Sequence, residues 1–487
     1  MKKERTVLQR MDIIILALIL ITAFALRLYK YNTPLADLHS WRQVDTAAVA
    51  RNYARNGVDW LKPQYDDLSD LQTGHENPEG LRYVEFPVYN AIVGYIGSVV
   101  TNVPIEVIGR IVTALFSLII VGVIYALTYY EAGRIAAIMA SLVYAVFPNF
   151  VFFSRVVLPE TTAVAFAMLS LLLVYLAVHK KRSAGYMVLL MCSAISYALA
   201  ILVKPTAGFY GLAVAYIVFR AYELNALKKT EYYIYALIAL VPFAMWRYFI
   251  SFHPVGIPPS DWLITSVNTY QGLKVIFLRP AFFRWIFYER INEIILGGYL
   301  TFFFILGIIV KPQRYLIHFI FLCGMIYLFI FEGGNVQHEY YQTILLPGLA
   351  LMVGLGTAYV LQNTKLFLHP LVTWSLVLAL YGLSFFFSFY RVQDYYHTPD
   401  DLPPIANVIK TITSPKDKIV TDRLGDTTLL YLADRKGAPA IYKDPATLKS
   451  LGYSYIVTMN RELINQMKAE GTYKAVFEND KFAMFKL

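Results

Sequence analysis

Apolar residues along the chain come in long runs separated by short polar joints. The first run, 12–29, follows the basic stretch MKKERTVLQR and is not followed by a small-residue cleavage site. That combination predicts a retained signal anchor with a cytoplasmic start. Further apolar runs occupy 88–103, 107–128, 135–153, 161–178, 184–203, 206–219, 232–249, 291–310, 315–331, 341–360 and 371–389. Basic joints at 179–182, 220–229 and 311–314 mark cytoplasmic turns. Four runs lie between the outer end of the first helix and the joint at Lys180, where an odd number of crossings is required. Run 88–103 is the one assigned as re-entrant or surface-lying, because it holds Asn90, Gly94, Gly97 and Ser98 and spans only about 24 Å against a hydrocarbon core of about 30 Å. The pattern therefore predicts a polytopic α-helical membrane protein with roughly eleven spanning helices, an internal N-terminus and an external C-terminus.

One polar stretch interrupts the rhythm. Directly behind the first run, 37–60 reads DLHSWRQVDTAAVARNYARNGVDW. Ser40 is an N-cap residue and Gly57 a C-cap glycine, so the segment between them is expected to be an amphipathic helix at the bilayer edge. It puts Trp41, Asp45 and Ala48 on one face, with Arg42 one turn before Asp45. After Arg391 the composition shifts, with Pro399, Pro403, Pro404 and Pro415 and shorter apolar runs. A small external α/β domain is predicted over 394–487, with strands at 418–421, 439–442, 454–458, 473–478 and 482–486. The membrane domain is then 1–393, including a first external loop at 30–87.

Composition changes the picture little. The chain is 57% hydrophobic and 16% charged, as expected for an integral membrane protein. A net charge of +10 invites a nucleic-acid reading, but bases at the ends of apolar runs are what membrane topology produces, so no nucleic-acid partner is expected. The two cysteines, Cys192 and Cys323, both sit inside apolar runs and imply neither a disulfide framework nor a zinc knuckle.

The predicted topology puts several polar segments on one outer side. Nucleotide sugars and ATP are absent there, so group transfer would draw on a lipid-linked donor. That chemistry needs a carboxylate to take an acceptor proton and cations to stabilise a leaving phosphate. Asp45 and Asp37 are the candidate bases, with a structural ion pair to Arg42 as the alternative for Asp45. Glu160, in SRVVLPE, opens a membrane helix, where an acid also satisfies free amides. Lys204, in ALAILVKPTAG, lies between two apolar runs with almost no loop, a depth at which a charge is by default functional. Its alternative is snorkelling to the interface. Arg155, Arg42 and Arg82 are further donor-phosphate candidates. His39, Trp41, Glu85, Tyr89, His338, Tyr340 and Tyr341 are substrate-binding candidates, against an aromatic belt and interfacial anchoring as plainer explanations. Asp66, Asp67, Asp70, His75, Glu76 and Glu79 form an acidic loop cluster, for which a divalent cation is the functional reading and solvation the ordinary one.

In order, ARNYARNGVDW, EFPVY, RVVLPE, VKPTAG and HEYYQTILLPG resemble the membrane glycosyltransferases of GT-C fold that include protein O-mannosyltransferases and the aminoarabinose transferase of lipid A. The resemblance implies transfer of a sugar, with inversion, from a polyprenyl-phosphate donor to a lipid, glycan or protein acceptor outside the cytoplasmic membrane. Lys204 matches the family's Lys-Pro segment and Glu160 its second acidic position. Two places depart from it: Arg42 and Gln43 stand where the family carries an Asp-Glu pair, and Glu85 stands where it carries the lysine of Lys-Pro-Pro. The base then falls to Asp45, or to Asp37 in a shifted register. A lipid-linked glycan flippase and an outer-face polysaccharide polymerase or ligase are the competing functions. Charges concentrated at one surface and the lack of repeated halves speak against transport.

Overall fold

The computed structural model describes residues 8–180, 183–258, 276–364 and 369–487. Lys181 and Arg182 of the first basic joint, and 259–275 between the apolar runs 232–249 and 291–310, lie outside these. The first helices are α1 (Arg10–Arg27), α2 (Ser40–Asn56), α3 (Val88–Val99), α4 (Ile105–Ala132), α5 (Arg134–Val146) and α6 (Pro148–Phe153). Then come α7 (Glu160–Val178), α8 (Ala184–Val203), α9 (Gly211–Tyr222), α10 (Thr230–Ile250), α11 (Pro280–Ile295), α12 (Leu300–Ile309) and α13 (Leu316–Ile330). They are followed by α14 (Glu332–Gln337), α15 (Leu346–Gln362), α16 (Pro370–Val392), α17 (Leu402–Ile412), α18 (Thr428–Ala433), α19 (Pro445–Ser450) and α20 (Arg461–Glu470).

Among the described residues, five helices are long and apolar enough to cross a membrane: α4, α7, α8, α10 and α16 with its continuation to Tyr396. The bent pair α11 and α12 makes a sixth if counted as one span. The roughly eleven expected crossings thus differ from what length and composition alone support. Runs that look continuous in sequence are shortened by breaks, leaving α5, α13 and α15 at 10–17 residues, while α1 carries Arg10, Asp12 and Arg27 within its 18 residues. Run 291–310 shows the cause. It turns by 117° between α11 and α12, with Gly297 and Gly298 at φ +60° and +82°, a region open to glycine. A Cβ at Gly297 would also fall on the Ser384 carbonyl. Run 88–103 contains the 12-residue α3, about 18 Å long and too short to cross.

The chain divides into two compact units. The first comprises 1–31, 110–246 and 260–394. In it α7 packs on α8, and α15 on α5, α12 and α13. One polar cluster inside this bundle is satisfied locally, as a membrane interior favours: Ser170 and Ser193 share a hydrogen bond of 2.9 Å, and Tyr235 reaches them at 3.0 and 3.2 Å.

The second unit comprises 32–109, 247–259 and 395–487. The expected division at 393/394 groups the chain differently, whereas here the first loop and the C-terminal segment fall in one compact unit. Five strands, β1 (Ile419–Thr421), β2 (Gly437–Ala438), β3 (Tyr455–Thr458), β4 (Lys474–Glu478) and β5 (Ala483–Lys486), form one sheet in the order β2-β1-β3-β5-β4. β2, β1 and β3 are parallel, and β5 joins β3 and β4 antiparallel. β2 is shorter and earlier than the expected strand at 439–442. Strand residues alternate between two apolar layers: Ile419 and Met484 meet α17 and α18 through Ile409 and Leu429, whereas Val420 and Phe485 meet Leu448 and Met467. The first loop extends the sheet beyond β2, since Leu68 N donates to Gly437 O at 2.7 Å and Gly437 N to Asp66 O at 2.9 Å. An edge that would otherwise be open is thereby covered.

Inside this unit α2 packs on α3. A Cβ built on Gly94 would lie 2.6 Å from Tyr53 Cβ and 2.8 Å from the Ala50 carbonyl oxygen, so the two backbones approach as closely as glycine allows. Gly94→Ala is expected to destabilise the protein by about 1–3 kcal/mol through overpacking. A thermal midpoint for the full chain equal to that of the unaltered protein would contradict this close approach.

Candidate active site

The organising helix is not a surface helix. In α2, every residue from Arg42 to Tyr53 is buried, so the expected amphipathic helix with a solvated face is corrected to an enclosed one. It is covered by α3 and by α18 of the C-terminal segment. Ser40 opens the helix instead of capping it: the cap position is His39, in the left-handed region at φ +56°, while Ser40 Oγ accepts from Thr428 Oγ1 at 2.9 Å. Gly57 ends the helix at φ +86° as its sequence position suggests.

Burial of so many charges requires pairing. Asp45, 1% exposed, accepts a hydrogen bond from Thr427 Oγ1 on Oδ1 at 2.6 Å. Its Oδ2 lies 2.9 Å from Arg82 Nη2, yet among the described residues no donor is aligned for a hydrogen bond to that oxygen. Burial raises the Asp45 pKa above the ordinary carboxylate value, opposed by the charge of Arg82, the Thr427 hydrogen bond and Arg42. Arg82 itself stacks over Tyr65 at 4.8 Å and donates to Gln72 at 2.9 Å. Arg42 pairs instead with Glu85 at 2.5 Å. Asp37, the second candidate base, is buried and accepts from Gln43 Nε2 at 2.6 Å. Trp41 is half-buried, and its carbonyl lies 3.4 Å from Thr427 Oγ1. Tyr89 is buried, with its hydroxyl on the Gly109 carbonyl at 2.9 Å.

Asp66, Asp70 and Glu76 of the acidic loop cluster are taken up by internal pairs, whereas His75 and Glu79 are exposed. Asp66 takes both carboxylate hydrogen bonds from Arg51, at 2.7 and 2.6 Å. Arg51 also donates to the Tyr431 carbonyl at 3.0 Å and lies 4.5 Å from that ring. Asp70 and Glu76 pair with Lys443. Asp67, buried beside Ser69, is pushed up to about 7 by burial. Among the described residues no group of three His, Cys, Asp or Glu side chains could hold a metal ion.

The first unit gathers a different set. Glu160 begins α7 and Lys204 follows α8, and the two buried groups meet at 2.7 Å. Neither Glu160 oxygen has an aligned hydrogen-bond donor among the described residues. Lys204 Nζ also lies 5.6 Å from the centre of the Tyr341 ring, a cation–π distance. His338 stacks on Tyr340 at 5.3 Å and 13°, and on Tyr341 at 6.0 Å. Arg155 is fully buried, donates to the Lys30 carbonyl at 3.0 Å and lies 5.8 Å from the Phe152 ring.

Three participants were not singled out in the sequence. Thr427 belongs to the C-terminal segment and bore no motif. Arg51 is one of several charges in the 37–60 stretch and carries no signal of its own. Arg290, buried on α11, donates to the Asn335 and Val336 carbonyls and to Glu339, clamping the segment that presents His338 and Tyr341. In sequence Arg290 stands just before the apolar run 291–310, beside Glu289 and Glu293, and nothing local distinguishes it from an interfacial charge.

Residues 87–249 match the family described as dolichyl-phosphate-mannose-protein mannosyltransferase. The structure superposes on ArnT from Cupriavidus metallidurans in its apo state with a TM-score of 0.64 at 12% identity, covering 97% of each chain. The chain has the GT-C glycosyltransferase fold. The same ArnT bound to undecaprenyl phosphate gives a TM-score of 0.62 at 14% identity, again over 97% of both chains. A further GT-C structure, the oligosaccharyltransferase AglB from Archaeoglobus fulgidus in complex with an inhibitory peptide and a dolichol-phosphate, gives 0.58 at 12% identity, over 92% of this chain and 69% of that one. No curated protein matches the sequence. The chain is thus a GT-C protein resembling the mannosyltransferase and ArnT group.

The Arg42–Glu85 pair supplies a direct check on the geometry of α2. Glu85→Lys would set two buried cations against each other and is expected to destabilise the protein by about 3–5 kcal/mol. Adding Arg42→Glu should recover most of that loss, as a positive coupling in a double-mutant cycle of thermal midpoints. Simple additivity of the two variants would mean the residues are not in contact.

Proposed function

We propose that this protein is a membrane glycosyltransferase that moves a sugar from a polyprenyl-phosphate donor to a lipid, glycan or protein acceptor on the outer face of the cytoplasmic membrane. The observation that carries the proposal is the state of Asp45. It is a buried carboxylate with one oxygen fixed by Thr427 and the other beside a cation but without an aligned donor. A base must be immobile, have raised proton affinity and keep a lone pair for the incoming hydroxyl, and Asp45 meets all three. In the proposed step Asp45 takes the acceptor proton, the acceptor oxygen bonds to the anomeric carbon, and the bond from that carbon to the phosphate oxygen breaks. The electron pair leaves with the polyprenyl phosphate. Within the first unit, Lys204, beside Glu160 at 2.7 Å, is a cation able to meet phosphate as a point charge. The GT-C neighbours bound to undecaprenyl phosphate and dolichol-phosphate support the donor class.

Transfer from radiolabelled polyprenyl-phosphate sugars in proteoliposomes tests the assignment. Asp45→Asn should lower the rate about 10²- to 10⁴-fold, the usual contribution of a positioned base; full activity in that variant would remove Asp45 from the mechanism.

The pH profile gives a second outcome. Asp45 acts as a base only when ionised, and burial holds its pKa above the ordinary carboxylate value, so activity should fall on acidification at a pH above the ordinary carboxylate range. Thr427 favours the ionised form. Thr427→Ala should therefore move the acid limb to still higher pH, and Thr427→Ser should return it. An acid limb unmoved by Thr427→Ala would detach Thr427 from the titrating group.

A further inference from the structure

Within the first unit, the end of the helix bundle remote from Glu160 and Lys204 carries a cavity of about 770 Å³. The antiparallel connectivity fixes this placement. α7 runs from Glu160 to Val178 over 19 residues, about 28 Å at the helical rise, and the cavity reaches His179 just beyond its last turn. The volume is in the range of small-molecule sites, roughly 300–1,000 Å³.

Charge and wall chemistry narrow the occupant. At the cavity's edge Glu131, with a side chain fully removed from solvent, is held by two arginines. Arg220 donates to both of its oxygens, at 3.1 and 3.0 Å. Arg314 reaches it at 3.4 Å and the Tyr175 hydroxyl at 3.4 Å. One carboxylate against two guanidiniums leaves an excess positive charge. The longer contact belongs to Arg314, whose side chain is 38% exposed and which lines the cavity. Tyr130 and Tyr175, stacked at 5.8 Å and 12°, line it as well. Apolar Val310, Leu355 and Ala358 complete the lining. A guanidinium with donors to spare matches phosphate oxygens, tyrosines suit the polar-apolar boundary, and the apolar lining suits a hydrocarbon chain.

We infer that this cavity binds a phosphate ester through Arg314, at the bundle end opposite the Glu160–Lys204 pair. Two sources share that chemistry: an anionic phospholipid headgroup and a free phosphate. Glu131 sets the affinity by competing for the arginines. A knot that merely ties helix ends would bind nothing and would respond to either charge change only by loss of stability.

The test is binding of dihexanoyl-phosphatidylglycerol, dihexanoyl-phosphatidylcholine and inorganic phosphate to the detergent-solubilised full chain, read as saturable shifts in its thermal midpoint. The inference expects a saturable shift with phosphatidylglycerol or with phosphate, weaker with the zwitterionic lipid. Saturation by phosphate alone assigns the free source, and saturation by phosphatidylglycerol without phosphate assigns the lipid. Arg314→Gln should weaken the responding probe about tenfold or more, the loss of one charge-assisted hydrogen-bonding group. Glu131→Gln should tighten it, because a competing carboxylate is gone. Should Glu131→Gln fail to fold, Arg314→Gln decides alone. No saturable shift with any probe in the unaltered protein, or an affinity unchanged by Arg314→Gln, overturns the inference.

Discussion

A carboxylate removed from water must bring a cation with it, and this constraint organises the polar part of the molecule. Desolvating a lone ion is far more expensive than any hydrogen bond returns, and four buried acids here have basic partners from elsewhere in the chain. Asp45 has Arg82, Asp66 has Arg51, Glu160 has Lys204, and Glu131 has Arg220 and Arg314. None of these pairs is a surface salt bridge of small worth. Removing one member strands the other in a low-dielectric setting, so the pairs oblige distant segments to fold together.

That obligation explains why the first loop and the C-terminal segment form one unit. Arg51 and Arg55 of α2 meet the Tyr431 carbonyl and Asp434, Lys443 takes Asp70 and Glu76, and the backbone of 66–68 adds to the β2 edge. Asp45 is set by the same association, since its hydrogen-bond donor, Thr427, stands at the start of α18. The C-terminal segment thus fixes the side chain assigned as base, a closer involvement than a peripheral appendage would have.

Local sequence patterns carried the helical membrane character, the short run 88–103, the cap at Gly57 and the strand-helix alternation after 394, because each depends on residues close in sequence. What was illegible depended on distance. The break at Gly297–Gly298 sits within a continuous apolar run, and only the close Ser384 backbone shows why glycine is needed there. The charges of α2 suggested an exposed face, since nothing local reveals that α3 and α18 cover it. Lys204 and Glu160 were each visible as unusual charges beside apolar runs, but their pairing at 2.7 Å joins positions 44 residues apart (204 − 160). Thr427 gave no signal, because a threonine before a short helix is ordinary until the partner of its hydroxyl is known.

Arg42 and Glu85, where the sequence departs from the pattern it resembles, meet each other at 2.5 Å. Each charge has its partner in the other, and reversing the sign at one position alone would set two like charges together in a buried setting. The pair ties α2 to the segment entering α3. The acid left on α2 is Asp45, roughly one turn further along, and it faces Arg82 rather than Arg42. With Arg42 taken up by Glu85, α2 presents one buried carboxylate beside one arginine, Asp45 opposite Arg82, and the two pairs together leave no charge of this helix segment stranded by its burial.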